Sequence, residues 1–259
     1  ARYWEYDGNE IGTYAKTELL RQSYTTEVTG RDLYDLLGSN VVDTYDLHVT
    51  IDGVTNDSIN KNIFNISSIN RNNKAAVGDT GNGVLTQVYL DLQEKDVYIS
   101  IINTYLAIAA DDYNERQEEV TLTVYGVNEV SDEYVKTVVD NQDDSESLEV
   151  SNDDFNVADV VEDDVMLVTL ADGEVQSISD PETLAGVEIT SFKQGDSLTA
   201  DGTDYDYSTA VEYDKETLER YTDGTTVNLK DMTYNVYLDA YGYVLGVVEV
   251  EKPDNYLFI

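Results

Sequence analysis

A chain of 259 residues, 41% of them apolar, can bury one large or two medium β cores without disulfide staples and is too apolar to stay disordered. Its 53 acids against 15 bases leave a net charge of −38, a field that repels phosphates and anionic lipid and argues against nucleic acid or membrane as partners. Cysteine is absent, which excludes disulfides, zinc–thiolate sites and thiol catalysis.

In chain order, the opening Ala1-Arg2-Tyr3-Trp4-Glu5-Tyr6 has none of the features of a signal peptide. A short helix is expected over Arg31–Leu37, with Thr29 as its cap and Gly38 as its stop. Tyr45–Ile51 alternates apolar and polar residues and meets the turn pair Asp52-Gly53, so it reads as a strand. Gly78-Asp79-Thr80-Gly81-Asn82-Gly83 has the glycines of a phosphate loop but no following Lys-Ser/Thr. It reads as a tight connection into the next strand, where Val84, Thr86, Val88, Leu90 and Leu92 share one face. Val97–Ile102 is nearly all apolar and suits a central strand. Further on, Val120, Leu122 and Val124 oppose Thr121, Thr123 and Tyr125.

The stretch Asn141–Ser147 is polar and acidic, and no Lys or Arg occurs from Thr137 to Phe192. It reads as a linker or long surface loop, giving two domains, 1–130 and 131–259, the second the more acidic. Two hairpins follow: Val165–Leu170 with Val175–Ile178 around Asp172-Gly173, and Tyr234–Asp239 with Tyr243–Val250 around Tyr241-Gly242. A second short helix is expected over Lys215–Tyr221. The expected class is therefore mainly β: two β-sandwich or barrel-like domains with one or two short helices. The final run Tyr256-Leu257-Phe258-Ile259 is apolar on both faces without a gatekeeping charge. It reads as a strand cut in the middle of a longer polypeptide, and as an interface strand that packs edge to edge.

Catalytic chemistry has little to work with. His48 is the single histidine, so any Ser-His-Asp triad would have to use it. Pairs of carboxylates abound by composition alone, and a single Trp offers little of the stacking surface that sugar-cleaving sites use. No enzyme is expected. Calcium takes several hard oxygen ligands, often alternate Asp residues on a loop. Asp201, Asp204 and Asp206 have that spacing, and Asp153-Asp154 and Asp163-Asp164 crowd carboxylates in the same way, though none follows EF-hand order. The competing reading of each is a solvated acidic loop. The tyrosines, 21 in all, suit half-buried strand faces and equally a stacking or packing surface.

One further signal is a resemblance. Thr233–Val247, with Lys252–Ile259, is similar to a recurring segment of large surface proteins of Gram-positive anaerobes that carry S-layer homology domains. Trp4–Lys16, Tyr24–Gly30, Gly81–Thr86, Ile101–Ala107 and Asp163–Asp172 share that phrasing. The resemblance implies a secreted, wall-anchored polypeptide, of which this chain is a projecting part without an anchor domain. It brings no catalytic residues. Its implied partners are copies of itself or other domains of the same polypeptide, at the extracellular bacterial surface. Two other readings stay open: an adhesin or glycan-binding module, with cell-wall or host glycans as partner, and an acidic protein of a halophile with an unrelated role.

Overall fold

A computed structural model describes residues 2–6, 9–14, 19–60, 63, 77–130, 133–136, 145–193, 196–212 and 233–250. The protein is mainly β, with 55% strand and 9% helix, and one of its sheets curls into a half-barrel. It forms two compact units, one of residues 1–103 with 169–174 and one of 104–168 with 175–259.

The first unit is built on a five-stranded sheet. Its strands are β3 (Leu20–Tyr24), β4 (Asp46–Ile51), β5 (Val54–Thr55), β6 (Leu85–Asp91) and β7 (Asp96–Ile102), in the order β3-β6-β7-β4-β5. The apolar run of β7 is central, as expected, and pairs parallel with β4, Asp46 opposite Asp96 and Ile51 opposite Ile101. One sheet face carries Val49, Val88, Leu90, Val97, Ile99 and Ile101, all buried against Leu33, Val41 and Val42 of two helices, α1 (Gly30–Leu37) and α2 (Ser39–Thr44). Each such side chain contributes about 1.5–3 kcal/mol on leaving water. Helix α1 starts where expected because Thr29 and Asp32 form a capping box. Asp32 N–H donates to Thr29 Oγ1 (3.2 Å) and Thr29 N–H to Asp32 Oδ2 (2.8 Å). It stops at Gly38, whose φ of 80° suits a residue without Cβ. A separate hairpin pairs β1 (Arg2–Tyr6) with β2 (Asn9–Tyr14).

Two sheets make up the core of the second unit. The first has the order β12-β9-β8-β13-β14, from β8 (Tyr105–Ala109), β9 (Glu119–Tyr125), β12 (Ser145–Ser151), β13 (Val165–Ala171) and β14 (Glu174–Ser179). The second has the order β15-β19-β20-β18-β17-β16. Its strands are β15 (Glu182–Val187), β16 (Ile189–Lys193), β17 (Ser197–Ala200), β18 (Thr203–Glu212), β19 (Thr233–Leu238) and β20 (Val244–Val250). Strands β18 and β20 lie against β8, and Gly246 comes so near Leu106 that a Cβ there would sit 2.6 Å from Leu106 Cδ2. A third, two-stranded piece pairs β10 (Val127–Val130) with β11 (Glu133–Lys136).

The inward set of β9 is the expected one: Val120, Leu122 and Val124 are buried, with the residues between them half-exposed. Both predicted hairpins form, as β13–β14 and β19–β20. Of the linker expected at Asn141–Ser147, residues 141–144 lie outside the described residues, while Ser145, Glu146 and Ser147 are in strand β12, paired with Tyr125, Val124 and Thr123. The apolar beat of that strand is only Leu148 and Val150, too short to stand out among acids, and acids are what an edge strand carries. The sheet β12-β9-β8-β13-β14 thus spans residue 130. The expected helix at Lys215–Tyr221 and interface strand Tyr256–Ile259 lie outside the described residues.

Candidate functional site

The Asp residues singled out for calcium are largely engaged in shaping turns. Asp201 (φ 47°) and Gly202 (φ 81°) are the two-residue loop of the β17–β18 hairpin, the left-handed pair that such loops require. The Asp201 carboxylate accepts the Glu188 N–H (3.0 Å), and Asp204 accepts the Thr199 hydroxyl (2.7 Å) from the neighbouring strand. Asp206 lies opposite Ser197 and is exposed.

The other acidic candidates sit at one end of the first sheet of the second unit, on the β12–β13 connection beside the β8–β9 loop. Asp153 and Asp154 are exposed, their N–H groups donating to Ser151 Oγ and O (3.1 and 3.2 Å). Asp163 holds a φ of 70° and donates its N–H to Ala109 O (3.0 Å), while Asp164 accepts the Val161 N–H (2.9 Å). The Tyr113 phenol is pushed above its ordinary pKa, first by partial burial and then by Glu118, Glu115 and Asp153. These loops therefore gather a strong negative field. Among the described residues, however, no three His, Asp or Glu side chains converge as a metal ion would require.

The side chains of the first unit's sheet give a more defined arrangement. Parallel pairing of β4 with β7 sets Asp46 opposite Asp96 and His48 opposite Tyr98 on the sheet face away from the helices. His48 Nε2 and Asp96 Oδ1 are 2.9 Å apart. The imidazole stacks on the Tyr98 ring, with centroids 4.9 Å apart and planes 19° from parallel. Two partners thus fix a half-buried ring. Beside it, a cleft of about 360 Å³ opens between β4 and the segment after β5, lined by Asp46, Leu47, His48 and Val49 of β4 and by Asn56, Asp57, Ile59 and Asn60. The alternation of Tyr45–Ile51 puts His48 on the polar face of its strand. The Asp96–Tyr98 setting could not be read from the sequence, because it depends on a parallel register between strands 50 residues apart.

Three carboxylates are buried among the described residues, Asp52, Asp91 and Asp239, and Asp91 Oδ1 accepts the N–H groups of Gln93 (2.8 Å) and Glu94 (3.0 Å) in the turn after β6. In the first unit Asp52 (φ 47°) opens the β4–β5 turn and accepts from Asn103 N–H (2.8 Å) and Nδ2 (2.9 Å). In the second, Asp239 Oδ1 accepts the N–H groups of Tyr241 (2.8 Å) and Tyr243 (2.9 Å), while Oδ2 is enclosed without a partner among the described residues. Burial pushes the Asp239 carboxyl above its ordinary pKa, opposed by the backbone N–H groups of Tyr243, Tyr241 and Gly242.

Comparison with protein-family models, curated proteins and solved structures finds no match to this chain. No helix among the described residues is long and apolar enough to cross a membrane.

Proposed function

We propose that this chain is a structural, non-catalytic segment of a secreted bacterial surface protein of the S-layer type, which works by packing against copies of itself or other domains of its own polypeptide. The observation that carries the reading is how the acids are used. Asp52, Asp91, Asp164, Asp201 and Asp239 each accept a backbone N–H at a turn or strand end, building a rigid frame. The sheets of that frame end in edge strands. Among them β14 carries no charge from Val175 to Ser179, and an edge of this kind is a template for another strand. The net charge of −38 keeps separate copies in solution until cations screen it.

The test is sedimentation of the purified chain in low salt and with added Ca²⁺. Species larger than the monomer are expected once the charge is screened, and Val175→Lys with Ile178→Lys on β14 should suppress them. A chain that stays monomeric in every condition contradicts the reading.

A further inference from the structure

We propose that the Asp180–Pro181 peptide bond is an acid-cleavable joint, at which the chain cuts its own backbone between two complete sheets. The joint does not depend on the assembly reading, because it needs no second copy of the chain.

Its place in the topology is unusual. Within the second unit, every strand of the sheet β12-β9-β8-β13-β14 precedes Asp180, and every strand of the sheet β15-β19-β20-β18-β17-β16 follows Pro181. Among the described residues no strand pairing joins one of these sheets to the other. A cut at Asp180 therefore removes a tether and no ladder hydrogen bond.

The bond is also open to water. Asp180 is exposed and Pro181 half-exposed, and both lie between β14 and β15, outside either strand. The Asp180 carboxylate has no hydrogen-bond or ionic partner among the described residues. Those of Asp52, Asp201 and Asp239, by contrast, are committed to backbone N–H groups. The elements around the joint bring further acids. Glu182 follows it on β15, and Asp163 and Asp164 precede β13, whose start lies beside the end of β14. Asp239 and Tyr241 follow β19, whose Leu238 pairs with Glu182. No base stands among them, and a negative field draws hydronium toward the bond.

The chemistry needs only these two residues, water and acid. A carboxylate oxygen of Asp180 attacks the main-chain carbonyl carbon of the same residue and closes a cyclic anhydride as the C–N bond to Pro181 breaks. The electron pair of that bond stays on the proline nitrogen, which takes its protons from the acid and leaves as a secondary ammonium. Water then opens the anhydride to two carboxyl groups, so the net change is hydrolysis of one bond. Attack within a single residue has the advantage of proximity, and an unengaged side chain is able to rotate into place. Proline suits the leaving group, because its tertiary amide nitrogen carries no N–H and is more readily protonated than that of other peptide bonds. The chain's other proline, Pro253, follows Lys252, so no second Asp-Pro bond exists.

The test is intact-mass spectrometry of the purified chain held at about pH 3.5 and at about pH 7, with circular dichroism following the strands. A synthetic peptide of Gln176–Val187 serves as a clock for the same bond without a fold. In acid, fragments of residues 1–180 and 181–259 are expected to accumulate at a rate within about tenfold of the peptide's. The strand signal should persist through the cut, and no fragments should form at neutral pH. Asp180→Glu, which must close a larger ring, and Pro181→Ala, which has a poorer leaving nitrogen, should each slow cleavage at least about tenfold. The proposal is overturned if the folded chain outlasts the peptide by more than about tenfold, or if either variant is cut at the parent's rate. It is equally overturned if fragments form only once the strand signal is lost, if the cut itself abolishes that signal, or if other Asp bonds are cut as fast.

Discussion

Replacing Asp52 probes how the first unit is fastened. Its carboxylate takes both the backbone and the side-chain N–H of Asn103, and Asn103 is wholly buried. The Asp52 backbone accepts the N–H of Asp172 (2.9 Å) from residues 169–174 and donates its own to Ile101 O (2.9 Å), so the turn is tied down on all sides. Asp52→Gly removes the carboxylate and keeps a residue at ease with a φ of 47°. The two lost bonds, each about 1.5–3 kcal/mol for a charged acceptor and not fully additive, predict a loss of about 3–4 kcal/mol. Asp52→Ala adds the cost of a left-handed residue bearing Cβ, about 1 kcal/mol more. The assay is urea unfolding followed by the His48 ring signals, which report on the same unit. Asn103→Ala and the double variant complete a cycle with an expected coupling of at least about 1.5 kcal/mol. A loss under about 1 kcal/mol for Asp52→Gly, within the range of an ordinary surface change, or strictly additive effects in the cycle, would refute the reasoning.

Asp239→Asn should change the dependence of stability on pH. A carboxyl raised above its unfolded value contributes stability that is complete below the unfolded pKa, about 3.9, and is lost as pH rises through the folded pKa. The asparagine retains an oxygen for the Tyr241 and Tyr243 N–H groups and does not titrate, so the melting temperature of the variant should gain on the parent as pH rises from about 4 to 7. A constant difference between the two across that range would show that the carboxyl does not titrate differently in the folded state. Divalent cations should raise the melting temperature by relieving repulsion among the acids, Ca²⁺ and Mg²⁺ nearly alike at equal ionic strength, because screening does not distinguish them. A rise with Ca²⁺ alone, abolished by Asp153→Asn with Asp163→Asn or by Asp201→Asn with Asp204→Asn, would instead point to a dedicated site among the Asp residues first considered.

Local signals in this chain carried far, because each rests on a few neighbouring residues. Thr29 and Asp32 make a capping box within one turn, and the Asp-Gly pairs at 52, 172 and 201 all adopt the left-handed loop that their chemistry favours. Alternation placed the buried face of β9 residue by residue. Leu92 shows where alternation stops being a guide: it continues the apolar beat of β6 but falls in the following turn, 60% exposed. The candidate site was much less legible. His48 meets Asp96 only because β4 and β7 pair in parallel, and nothing in either segment specifies that register. The acidic spacing at Asp201–Asp206 looked like a cation loop because a hairpin turn and a ligand loop draw on the same residue, Asp beside Gly.

Under the proposed function this chain forms part of an ordered layer on the outside of a bacterial cell. Low-dose electron imaging of cells that produce it, with gold-labelled antibody raised against the chain, addresses that most directly. A periodic surface array decorated by the label is the predicted result. Label confined to the cell interior, or a labelled surface without periodic order, would contradict the claim.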